Sequence, residues 1–148
     1  MSNYNGDMRR NNVIALSSRI TDKAHKLIVR ELEYHGIYGI VPSHGGILSL
    51  LFSGEKLTMK ELAEKIHRTK PTVTVLVDKL VQLDYVTKVK SSDDSRVTYI
   101  ALTEQGIALK PLFTEISDKL NSIVYKDVSE ADAEYLEKLL GKINQNLD

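Results

Sequence analysis

The chain has no cysteine, which excludes disulfides and any redox sensing through a thiol of its own. It has no apolar run approaching the about 20 residues of a membrane span. The opening stretch MSNYNGDMRRNN is polar and unlike a signal sequence, so a cytoplasmic protein is expected. No glycine-rich phosphate loop, internal repeat or low-complexity segment is present. The histidines His25, His35, His44 and His67 do not stand at a metal-ligand spacing such as H-x-x-x-H. They are expected on the surface or in loops, with no metal and no other cofactor. The carboxylates Asp93 and Asp94 fall in a turn, where they bond the local backbone rather than perform acid–base chemistry. Nothing argues for an enzyme.

Net charge is also lacking, with 20 basic and 20 acidic residues. That balance suits a nucleic-acid partner poorly until the charge is mapped. Residues 56–96 carry nine Lys/Arg against six Asp/Glu, whereas residues 97–148 carry five against nine. Ordinary solvated faces produce such tallies as well. The positive segment, however, coincides with the most patterned stretch of the chain, which favours a phosphate-bearing partner.

That stretch is residues 57–102. Thr58 is a natural N-cap, with Glu61 three residues on to complete a capping box, and Leu62, Ala63 and Ile66 form a short apolar face. The chain breaks around His67 and Arg68. Thr69 then caps a second helix with Lys70 and Pro71 in its first turn. Val73, Leu76, Val77, Leu80 and Leu83 recur at helical spacing and are expected to face inward. Lys70, Thr72, Thr74 and Val75 are left outward at the start of this helix, with Asp78, Lys79 and Gln82 further along. Beyond Asp84 the pattern changes to two β-rich runs, residues 85–90 and 96–102, around the polar turn SSDDS. Lys88, Lys90 and Arg96 flank that turn. The order is a helix-turn-helix followed by a wing. Such a helix suits the major groove and such a hairpin tip the minor groove.

The run TVTVLVDKLVQLDYVTKV followed by DDSRVTYIALTEQG resembles the winged helix-turn-helix of the MarR family of transcriptional regulators. Asp94-x-Arg96, Leu102-Thr103 and Gly106 match the family's wing and wing exit. The chain departs from the family in having Val75 where Arg or Lys is common, and Asp84 where Gly is common. Asp tolerates the left-handed conformation that a helix exit needs.

The resemblance implies a mainly α fold with a small β-hairpin wing. The winged helix-turn-helix DNA-binding lobe would cover residues 40–102, and a helical dimerisation region residues 1–34 and 103–148. It implies a homodimer on a palindromic double-stranded DNA operator, acting as a repressor released by a small aromatic or phenolic effector. The expected DNA-binding residues are Lys70, Thr72, Thr74, Val75, Lys79, Lys88, Lys90 and Arg96, with Asp94 bracing the wing. Tyr34, Tyr38, His44 and Phe113 are candidates for an effector pocket, although core packing is the commoner fate of such residues. The alternative is a winged-helix protein-interaction module without specific DNA binding.

The flanks fit this frame. Residues 1–10 are expected to form a loose arm. Val13, Leu16, Ile20, Ala24, Leu27, Ile28 and Leu32 mark a long first helix that Gly36 and Gly39 end. Pro42 starts a second, with Gly45-Gly46 near its beginning, for close helix packing or for ligand space. Thr103 caps a helix in which Pro111 must produce a kink or a late start. Ser129 caps the last helix, which carries Ala133, Leu136, Leu139, Leu140, Ile143 and Leu147. The expected element order is α-α-α-α-β-β-α-α, with a short additional strand near Leu57.

Overall fold

A computed structural model describes residues 12–148; the arm expected over residues 1–10 lies outside the described residues. Its elements in order are α1 (Val13–Tyr34), α2 (Pro42–Leu51), β1 (Leu57–Thr58), α3 (Met59–Ile66), α4 (Lys70–Gln82), β2 (Val86–Lys90), β3 (Thr98–Leu102), α5 (Glu104–Ala108), α6 (Lys110–Val124) and α7 (Glu130–Asn146). The fold is mainly α with a small antiparallel sheet in the order β1-β3-β2.

Local chemistry sets these boundaries. The Thr58 hydroxyl accepts from the Glu61 N–H, and the Glu61 carboxylate accepts from the Thr58 N–H, both at 3.1 Å. Thr69, Thr103 and Ser129 cap α4, α5 and α7 in the same way from their side-chain oxygens. Helices α1, α3 and α4 end in left-handed residues: Gly36, His67 and Asp84, at φ of 80°, 55° and 65°. In each case the following N–H reaches back to a carbonyl of the last turn, from Ile37 to Leu32, Arg68 to Ala63 and Tyr85 to Leu80. These are Schellman closures. Asp84 therefore does what glycine commonly does at this exit.

Pro111 marks the late start expected of it: with no N–H to continue the ladder it sits in the first turn of α6, and the helix capped by Thr103 ends before it as α5. The β runs are shorter than expected, starting at Val86 and Thr98. The additional strand expected near Leu57 is present and makes the sheet three-stranded, pairing Leu57 with Ile100 and Thr58 with Tyr99.

One core holds the lobe together. Ile47, Leu48, Leu62, Val73, Val77, Leu80 and Ile100 are fully buried in it. Leu76 and Leu83, expected inside, are half-buried at its margin. Leu32, Leu109 and Ile116, from the segments assigned to dimerisation, join the same core. The outer faces of the terminal helices remain apolar and uncovered: Val13, Leu16 and Ile20 on α1, and Leu136, Leu139 and Leu140 on α7, which buries none of its residues. Among the described residues, no helix is long and apolar enough to cross a membrane.

Candidate nucleic-acid interface

Helix α4 lies with Val73, Val77 and Leu80 in the core. The side opposite them, at steps of three and four, is Pro71, Val75, Asp78 and Gln82, all exposed. Val75 is 70% exposed and is the most prominent apolar group on this face. Thr72 and Thr74 stand beside the stripe rather than on it. The Thr74 hydroxyl donates to the Lys70 carbonyl at 2.9 Å, and the Thr69 hydroxyl donates to that of Thr72 at 2.9 Å. Both threonines are therefore partly engaged with their own helix start. Lys70 is exposed at the first position of the helix.

The sheet is joined to this face by an ion pair. The Lys88 ammonium of β2 lies 3.1 Å from the Asp78 carboxylate of α4. Since Asp78 is on the Val75 stripe, the bridge places the wing strand on the same side of the lobe. It also neutralises an acidic group that would otherwise repel phosphate. Lys88, expected among the DNA-binding residues, is the tie between wing and helix.

The wing tip is braced as expected. The Asp94 carboxylate accepts from the Arg96 backbone N–H at 3.0 Å, from its Nε at 3.1 Å and from its Nη2 at 3.1 Å. This fork is bidentate, and it holds the Asp94 carboxyl below the usual carboxylate range. The Ser91 hydroxyl accepts from the N–H groups of Asp93 and Asp94, closing the turn. Arg96 is nevertheless well exposed at the side chain, 89%, so its free edge is presented outward. Lys90 is exposed at the end of β2. At the wing exit, the Thr103 N–H donates to the Tyr85 carbonyl, and the Thr103 hydroxyl donates to that of Asp84 at 2.6 Å.

Lys79 lies elsewhere. It sits nine positions along from Lys70, and a Cβ placed on Gly39 would meet its Cε at 3.4 Å and its Nζ at 3.6 Å. It covers the loop between α1 and α2, not the front of α4. Arg68, not singled out in the sequence, is exposed in the turn between α3 and α4. Neither Asp78 nor Arg68 belongs to a local motif; both are found only by asking what neighbours them in space.

A cavity of about 200 Å³ lies between α1, α2 and α6, lined among others by Ile28, Leu32, Gly45, Gly46, Phe113 and Ile116. The two glycines thus open space as well as permit packing: a Cβ on Gly45 would meet Phe113 at 3.4 Å. A second hollow, of about 200 Å³, shares Pro42 and Gly46 with the first and brings His25, Ser43 and Arg68 together. Of the expected pocket residues, Phe113 is in place. Tyr34 and Tyr38 are not: they are 85% and 66% exposed, Tyr34 at the last position of α1 and Tyr38 in the loop beyond it. His44 lines neither hollow; it is buried against the core as the third residue of α2, not on a surface or loop. His35 bonds locally, through its Nδ1, to the Glu31 carbonyl. Among the described residues, no group of three or more His, Cys, Asp or Glu is placed to hold a metal.

Comparison with known proteins agrees with this architecture. The model of the MarR family matches residues 42–98. The HTH-type transcriptional regulator SarZ of Staphylococcus aureus is 34% identical over 103 residues, spanning 69% of this chain and 68% of SarZ. The structure of the S. aureus MepR–DNA complex superposes with a TM-score of 0.81 at 26% identity, covering 89% of this chain and 96% of that one. The transcriptional regulator SlyA superposes with a TM-score of 0.80 at 14% identity, over 93% and 94% of the two chains, which is a likeness of fold alone.

Proposed function

This chain belongs to the MarR family of transcriptional regulators, and from that premise we propose that it is a homodimeric repressor that binds a palindromic operator and is released by a small aromatic acid or phenol. It is a DNA-binding regulator and not an enzyme.

The observation that carries the DNA contact is the Asp78–Lys88 bridge. It ties β2, the strand that leads into the Arg96 wing, to the exposed α4 stripe. In this reading α4 enters the major groove, with Val75 packing on base methyl groups and Thr72, Thr74 and Lys70 beside it. Arg96 reaches the adjacent minor groove, Lys90 meets the backbone, and Lys79 contributes at longer range. The likeness to MepR in its DNA complex supports this placement.

The uncovered apolar faces of α1 and α7 support the homodimer, assembled from the regions 1–34 and 103–148 around the lobe at 40–102. A twofold dimer places its recognition helices one DNA turn apart, about 34–36 Å. The apolar cavity at Phe113 beside the basic hollow of His25 and Arg68 supports an effector with an aromatic body and an anionic group.

Selection of bound sequences from a random duplex pool tests the reading. Sites with dyad symmetry are expected, with affinity falling steeply as salt rises. Selected sites without a dyad, or a monomer in sedimentation at micromolar concentration, would overturn the dimeric operator.

A further inference from the structure

Among the described residues, the polar side chain buried in the core is His44. Its Nδ1 lies 3.0 Å from the Val41 backbone nitrogen, which must donate. Nδ1 therefore offers a lone pair, and the ring is neutral with its proton on Nε2. The bond satisfies a free N–H at the start of α2. From α4, Lys79 covers the same loop at Gly39. His25 of α1 and Arg68 of the α3–α4 turn stand around Pro42 and Ser43 at the same helix start. Burial first, and the Lys79 charge second, hold the ring's pKa below 6.5. A proton on Nδ1 would point N–H at N–H and set two cations beside each other under the recognition helix.

We propose that His44 is a positioning residue for DNA binding: neutral, it fixes the start of α2 beneath Lys79 of the recognition helix, and its protonation unseats that helix and weakens the hold on DNA. This rests on the DNA-binding role of α4 argued above. The stabilisation is complete above the unfolded histidine value of 6.5 and is lost as pH falls below it toward the folded value. The sign is diagnostic. His25, His35 and His67 are exposed, and their protonation adds positive charge, which by itself strengthens attraction to phosphate. Among the histidines, weakening on acidification requires one whose neutral form holds the structure.

The test measures affinity of the full chain for its selected duplex at constant ionic strength, between about pH 8 and about pH 5.5, alongside NMR titration of the histidine rings. Wild type should lose affinity several-fold as the pH falls. His44→Gln, whose amide accepts the Val41 N–H and cannot charge, should hold its affinity or gain. Lys79→Met should move the His44 titration midpoint upward and start the loss at higher pH. Thermal melts show whether each variant is folded; if His44→Gln is not, the Lys79→Met shift decides. The proposal is overturned if wild-type affinity stays flat or rises on acidification, if His44→Gln loses it equally, or if Lys79→Met moves neither midpoint nor threshold. Duplex binding without an acid loss overturns this inference alone, whereas no binding at any pH overturns the DNA-binding role as well.

Discussion

Val75 carries the sharpest expectation for operator choice. It is 70% exposed, on the stripe directly away from Val73 and Val77. Replacing it with alanine should therefore leave stability within about 0.5 kcal/mol of wild type. On DNA the valine can donate no hydrogen bond, but it can cover a thymine methyl group. Burying one methyl contributes about 0.8 kcal/mol. A twofold dimer makes the contact twice, so uracil in both half-sites should cost about 1.6 kcal/mol, roughly 15-fold in Kd. The assay is fluorescence anisotropy with the selected duplex, thymine replaced by uracil at one symmetric pair of positions at a time. Wild type and Val75→Ala are compared as a double-mutant cycle, which isolates the pairwise contribution. One pair of positions should show the full loss with wild type and little with the variant. If every thymine-to-uracil change is neutral, or Val75→Ala discriminates as well as wild type, the methyl readout is wrong.

Arg96→Ala should weaken binding to all duplexes alike and lower the salt slope by about 0.9 for each phosphate no longer neutralised, about 1.8 for the dimer. Asp94→Ala should weaken binding too, although it removes a negative charge; tighter binding would refute the bracing role. Gly106→Ala should destabilise the fold by about 3 kcal/mol in urea unfolding, because the added Cβ would fall 2.1 Å from the Tyr85 carbonyl oxygen, a backbone atom that cannot rotate away. A change under about 0.5 kcal/mol would show that the wing exit shifts freely. Leu139→Glu on the bare face of α7 should weaken dimerisation by about 3 kcal/mol over the two symmetric copies, measured by sedimentation, and unchanged association would place the interface elsewhere.

What the sequence by itself determined is what nearest neighbours along the chain decide. Thr58, Thr69, Thr103 and Ser129 cap the helices they were expected to cap, since a cap needs only an oxygen and an N–H two or three residues on. Asp84 and Gly36 close helices because left-handed φ is a property of the residue and its turn. The Asp94–Arg96 fork spans two residues and was legible for the same reason. Tertiary structure alone decided the rest. Lys88 is the partner of Asp78, ten residues back, because β2 packs against α4. Lys79 swung to Gly39, forty positions away in the chain. Tyr34 and Tyr38 left the pocket while Phe113 entered it, since helical phase tells which residues share a face but not which face meets which neighbour. His44 was expected on the surface, in a loop or at an effector pocket, and packing buried it: a buried polar group is identified by what surrounds it, and its surroundings come from helices far apart in sequence.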